Sequence, residues 1–177
     1  MIWGMTTHTF TLVHVGLSLV GIFTGLVVMF GLLAGKRLDV WTALFLASTV
    51  ATSVTGFGFP FDHFSPPHYV GVLSLLVLAL ALVARYAFHL GGAWRWIYGV
   101  SAAIALYFNV FVGVVQAFEK VPVLKAMAPT QSEPPFVIAQ LVVLVLFVVL
   151  AIFATKRFAH APLDPAVNSF SESSHQE

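Results

Sequence analysis

The sequence predicts an all-α fold, an integral membrane bundle of five transmembrane helices with the N-terminus outside and the C-terminus cytoplasmic. Three observations predict it. Of the 177 residues, 59% are hydrophobic and 8% charged, and the mean hydropathy is +0.96. A soluble domain carries about 25% charged residues, so this chain cannot cover itself with a water-compatible surface. The chain also divides into five charge-poor runs, each near the ~20 residues that cross a hydrocarbon core. Finally, Lys36, Arg37, Arg85, Arg95, Lys156 and Arg157 fall on one side of a five-span arrangement, against Lys120 and Lys125 on the other. Basic residues accumulate in short cytoplasmic loops, which sets the orientation. The same composition excludes whole classes: a net charge of +1 with 8 Lys and Arg leaves no basic face for nucleic acid. The absence of Cys excludes disulfides, thiolate nucleophiles, iron–sulfur clusters and Cys-based zinc sites.

The first helix is expected over 8–34, closed by Lys36-Arg37-Leu38-Asp39. It is not read as a signal peptide, because no basic residue precedes it, the apolar stretch is too long and the positive charge follows it. The second is expected over 40–59 and ends at Pro60; the third, over 67–88, ends near Arg85. The fourth, over 94–118, is stopped by Glu119-Lys120, and the fifth, over 135–156, by Lys156-Arg157. Pro67 and Pro135 stand where a first helical turn tolerates proline. These spans make up one transmembrane domain, 1–158, and the Pro- and Ser-bearing stretch 159–177 is expected to be a disordered cytoplasmic tail. No internal repeat points to an inverted-repeat transporter.

A polar side chain in lipid is costly unless it has a partner or faces a cavity, so the placement of polar residues carries the functional information. On helix one, Thr7, Thr11, His14, Ser18, Gly21 and Gly25 recur at three- and four-residue steps and share a face. Gly21 and Gly25 form the small-residue pair that lets helix backbones approach closely. Helix four repeats the pattern with Ala102, Ala105, Asn109, Gly113 and Gln116. Helix two supplies Ser48, Thr49, Thr52, Ser53 and Thr55, and helix five Gln140. Helices one, two and four are therefore expected to pack closest. At ~1.5 Å per residue, His14, Thr52 and Gln140 lie about 7 to 8 Å below the outer surface, with Asn109 deeper and His68 and Gln116 nearer the surface. The inner stretches 26–33, 75–84 and 142–153 are almost wholly apolar. A channel needs polar groups along its whole path, so the expected object is a pocket open to the outside, with His14, Thr52, His68, Asn109, Gln116 and Gln140 as its ligand-binding residues.

Two outer loops are expected to cover that pocket. The segment 56–69 is rich in Gly, Pro and aromatics suited to the membrane interface. In the second, Val121, Leu124 and Met127 have helical spacing, and the prolines that follow fix a loop. His8, His14, His63 and His68 gather on this face with Asp62 and Glu119. A metal ion would use His14, His63, His68 and Asp62 if the loop folds inward, although no His-x-x-x-His spacing is present. Haem b would use His14 and His68 as its axial pair. The structural alternatives stand beside these: His14 hydrogen-bonded to a helix-two hydroxyl or Gln140, His68 as an interfacial residue, and Asn109 and Gln116 as inter-helix contacts. No helix interior carries the carboxylates of a di-iron centre, and no Ser sits in a Gly-x-Ser-x-Gly turn.

The runs Trp41-Thr42-Ala43-Leu44-Phe45-Leu46, Thr52-Ser53-Val54-Thr55-Gly56-Phe57 and Gly92-Ala93-Trp94-Arg95-Trp96-Ile97-Tyr98, with the loop 128–136, resemble a family of small bacterial five-helix membrane proteins of unassigned function. The resemblance covers about 14–158 and implies a multi-pass protein of the bacterial inner membrane, with no activity implied. Tryptophan-rich sensory proteins and the membrane subunit of nitrate reductases share only the helix count. Two functions are therefore expected: an outward pocket for a small molecule or cofactor (haem, a metal ion or a quinone head group), or a non-catalytic accessory subunit. In the second, the Pro-rich outer loop meets a membrane protein partner or a second copy of the chain.

Overall fold

The structure, a computed structural model, describes residues 1–60 and 66–161. Six helices account for most of them: α1 Thr7–Leu33, α2 Asp39–Gly56, α3 Pro66–Leu82, α4 Trp94–Lys120, α5 Pro122–Met127 and α6 Pro134–His160, with α3 prolonged by a π-helical turn over Val83–Ala87. Asp62 and His63 lie outside the described residues, as does 162–177. Ala159 and His160, expected in the tail, belong to α6.

Local chemistry accounts for the ends. The Thr6 hydroxyl accepts from Thr9 N at 3.2 Å and caps α1. At the other end Gly35 adopts φ 67°, and Lys36 N and Gly35 N donate to Gly31 O and Leu32 O at 2.9 and 3.0 Å. This left-handed closure satisfies carbonyls that a helix terminus leaves open, and glycine adopts it without a Cβ penalty. Pro122 opens α5, and Pro134-Pro135 open α6, where the missing N–H has no intrahelical acceptor to lose. The loop between them is closed by side-chain hydrogen bonds. Glu133 accepts from Thr130 N at 3.1 Å, Thr130 Oγ1 at 2.9 Å and Ser132 N at 3.1 Å. Desolvation, the largest single influence, works the other way, but these bonds together outweigh it and hold the Glu133 carboxyl below the usual carboxylate range.

Thr7–Leu33, Pro67–Ala87, Trp94–Lys120 and Pro134–His160 are long and apolar enough to cross a membrane. The chain is thus a multi-pass membrane protein by the length and apolarity of its helices. α6 shows why water is the wrong solvent: no residue of its most apolar stretch is buried, and Val137, Ile138, Leu141, Val145, Leu146 and Phe153 are all exposed. The expected second span does not meet the same standard. α2 has 18 residues, begins at Asp39 and carries six hydroxyl side chains.

α1 and α2 form the most extensive pairing, as expected, but α4 packs mainly on α6 and α3 and hardly touches α2. The close contact on α4 is at Gly99, where an added Cβ would lie 2.8 Å from Thr155 Oγ1 of α6. The apolar core occupies one end of the bundle, with Val28, Met29, Leu32, Phe45, Leu46, Leu78, Tyr98, Leu106 and Phe158 all buried.

Candidate functional site

Because successive helices reverse direction, the first half of α1, the last half of α2, the start of α3 and the last half of α4 share the other end of the bundle. There they enclose a cavity of about 580 Å³. His14, Thr52, His68, Asn109 and Gln116 all line it. Gln140 does not: its Nε2 donates to Phe111 O at 3.2 Å, between α6 and α4. Rise per residue says nothing about which side of the bundle α6 occupies, and α6 packs chiefly on α4.

Three pairs of side chains hold the walls together. His14 Nδ1 lies 2.8 Å from Thr55 Oγ1, and the Thr55 hydroxyl donates to Ala51 O at 2.7 Å. With its one proton committed there, Thr55 accepts and His14 Nδ1 donates. In the neutral ring that leaves Nε2 as the unprotonated nitrogen. Ser18 Oγ donates to Asn109 Oδ1 at 2.7 Å and ties α1 to α4. Ser53 Oγ donates to Ser74 Oγ at 3.1 Å and ties α2 to α3.

Ser74 was not singled out in the sequence, where it stands inside an apolar run. The signal was present: His68, Gly71 and Ser74 recur at three-residue steps, placing one polar stripe on α3. His68 is 9% exposed, and its ring centroid lies 5.8 Å from that of Phe57.

The floor is closed. Thr49 is 1% exposed and lines the cavity, and its hydroxyl, turned toward Gly21 of α1, is buried without a hydrogen-bond partner among the described residues. Below it, a Cβ on Gly25 would lie 2.6 Å from Leu106 Cδ1 and 2.8 Å from Phe45 Cε2, so side chains fill the space where a channel would continue. Toward the mouth, Gln116 Nε2 donates to Glu119 Oε2 at 3.3 Å, with Lys120 beside it. An aromatic chain borders the same end. Phe59 meets His14 edge-on at 5.3 Å and Phe10 at 5.0 Å, and Trp3 meets Phe10 at 5.4 Å. Trp3 reaches that position through a tight turn in which it and Gly4 have φ 49° and 81°, closed by Ile2–Met5 bonds of 2.9 Å in both directions.

Among the described residues no group of three or more His, Cys, Asp or Glu is placed to hold a metal ion. Of the four residues expected for one, His14 and His68 line the cavity, and His63 and Asp62 fall outside the described residues. Compared with known proteins, the chain matches no family model, no curated protein and no solved structure.

Proposed function

We propose that this is a five-span protein of the bacterial inner membrane, N-terminus outside, whose outer-half cavity binds a small amphipathic molecule with a hydrogen-bonding head, of which a quinone head group is the type. The observation that carries the reading is the cavity of about 580 Å³, whose polar lining includes His14, Thr52, Asn109 and Gln116. His14 Nε2, as an acceptor, and the Gln116 amide, as a donor, offer complementary contacts to such a head. The aromatic chain from Trp3 to Phe59 suits its apolar body. Haem through His14 and His68, or a metal ion, would use the same cavity.

α2 is read as the fifth span on the fate of its hydroxyls. Ser48, Thr52 and Thr55 donate to the carbonyls four residues back at 2.6, 2.9 and 2.7 Å, so they bring few unmet donors into lipid. Its 18 residues reach about 27 Å at 1.5 Å per residue.

The test starts from protein purified in mild detergent. An absorption spectrum, metal analysis and mass spectrometry of the organic extract are followed by calorimetric titration with a short-chain benzoquinone. One equivalent bound supports the reading, with affinity reduced in the His14→Ala and Gln116→Ala variants. A Soret band or stoichiometric metal assigns the cavity to those groups instead. A colourless, metal-free protein that binds no quinone and co-purifies with a larger membrane complex sinks the pocket in favour of an accessory subunit.

A further inference from the structure

The bundle end opposite the cavity holds an arginine that the outer pocket does not use. Arg85 lies in the π-helical turn after α3 and is 6% exposed. Its guanidinium carbon stands 5.5 Å from the Tyr98 ring centroid and 5.7 Å from that of Tyr86. One Nη donates to the Asp39 carboxylate, which is 74% exposed. Arg85 Nε is buried with no hydrogen-bond partner among the described residues. Next to it opens a second cavity of about 390 Å³, lined among others by Arg37, Asp39, Arg85, Tyr86 and His89. Two arginines and one carboxylate thus line the pocket, which carries an excess of positive charge.

We propose that this pocket binds the phosphate of an anionic phospholipid from the cytoplasmic leaflet. The proposal rests on the reading of the chain as membrane-spanning with the Lys36-Arg37 turn at the cytoplasmic face. A guanidinium presents a planar fork of donors that matches phosphate oxygens, and Arg37 and Arg85 both line this pocket. Arg37 and His89 add donors at the rim. Basic pockets between helices on this side of a membrane hold anionic head groups. A lipid also explains the walls better than a free anion does. Val40, Leu44 and Val83, all exposed and apolar, flank the pocket on α2 and the end of α3, where acyl chains would lie. Trp41 and Tyr86, also exposed, sit at the level that interfacial aromatics favour.

The experiment uses delipidated full-length protein in detergent. It is titrated with phosphatidylglycerol and with phosphatidylcholine, read by native mass spectrometry, and then challenged with inorganic phosphate. Phosphatidylglycerol should bind preferentially at one equivalent and resist millimolar phosphate. Arg37→Gln should weaken it about fivefold, the ~1 kcal/mol of one basic residue beside an anionic head group converted to a ratio, without moving phosphatidylcholine binding or the melting temperature. Arg85→Lys keeps the charge but removes the planar fork, and should also weaken binding. Equal binding of the two lipids by the parent overturns the proposal, as does a preference unchanged in Arg37→Gln. Complete displacement by millimolar phosphate assigns the pocket to a free anion and overturns the lipid. None of these readouts depends on the quinone titration, so failure at one end of the bundle is distinguishable from failure at the other.

Discussion

His14 and Thr49 stand in the cavity wall in opposite ways, one tied to a neighbouring helix and the other's hydroxyl without a hydrogen-bond partner among the described residues. Deleting the His14 imidazole removes one inter-helix hydrogen bond, and such bonds average about 0.6 kcal/mol in membranes. His14→Ala should therefore fold, with a melting temperature close to the parent's, and lose at least about tenfold in quinone affinity, the ~1.4 kcal/mol of a ligand contact with no substitute. Loss of folding comparable to that of a helix-packing variant would make His14 a structural residue. Thr49→Val keeps the shape and removes an unmet hydroxyl, so the ligand-free protein should gain about 1 kcal/mol in detergent unfolding with its quinone affinity close to the parent's. A drop in ligand-free stability would mean that the hydroxyl has a structural partner.

Among the helices, close approach is concentrated at a few glycines. An added Cβ on Gly21 of α1 would lie 2.8 Å from Asn109 Nδ2, 3.0 Å from Thr49 Oγ1 and 3.3 Å from Ser48 Oγ. Gly21, like Gly25, thus spaces α1 from both α2 and α4. Gly21→Ala should destabilise by about 1–3 kcal/mol through overpacking and, by pushing Asn109 and Thr49, should also disturb the cavity. Gly16 lies on the same helix, yet an added Cβ there meets nothing within 4 Å. Gly16→Ala should be neutral or stabilising by up to about 1 kcal/mol, since alanine restricts the unfolded backbone and favours helix. Thermal unfolding of the two variants in the same detergent checks the contrast. Equal effects would mean that Gly21 is not a spacer.

For the molecule as a whole, the open question of α2 becomes a question of sidedness. The chain contains no Cys, so single cysteines can be read by a membrane-impermeant thiol reagent against a silent background. In a five-span protein, Lys36→Cys and Gly91→Cys should both be protected in intact cells, and Lys125→Cys should be labelled. If α2 does not cross, α3 runs the other way, and Lys36→Cys and Gly91→Cys must differ. Labelling of Lys36→Cys and Gly91→Cys with protection of Lys125→Cys would invert the orientation and place the large cavity on the cytoplasmic side.

Composition and spacing were enough for the helical class, four of the five expected apolar spans and five of the six residues expected at the cavity. Each of these depends on the solvent a segment meets or on which positions share a helix face, and both are local properties. His14, Thr52, His68, Asn109 and Gln116 come together because their depth and periodicity agree. Gln140, expected at the same depth, is excluded, because α6 lies against α4, and no local pattern says which neighbour a uniformly apolar helix will choose. The same reason hid Arg85. In the sequence it reads as one more cytoplasmic charge, whereas packing buries it beside Asp39 and Tyr98, residues 46 and 13 positions away. Whether a polar group is paired or left unmet, as Thr49 and Arg85 Nε are among the described residues, depends on distances between helices, and those exist only once the bundle has assembled.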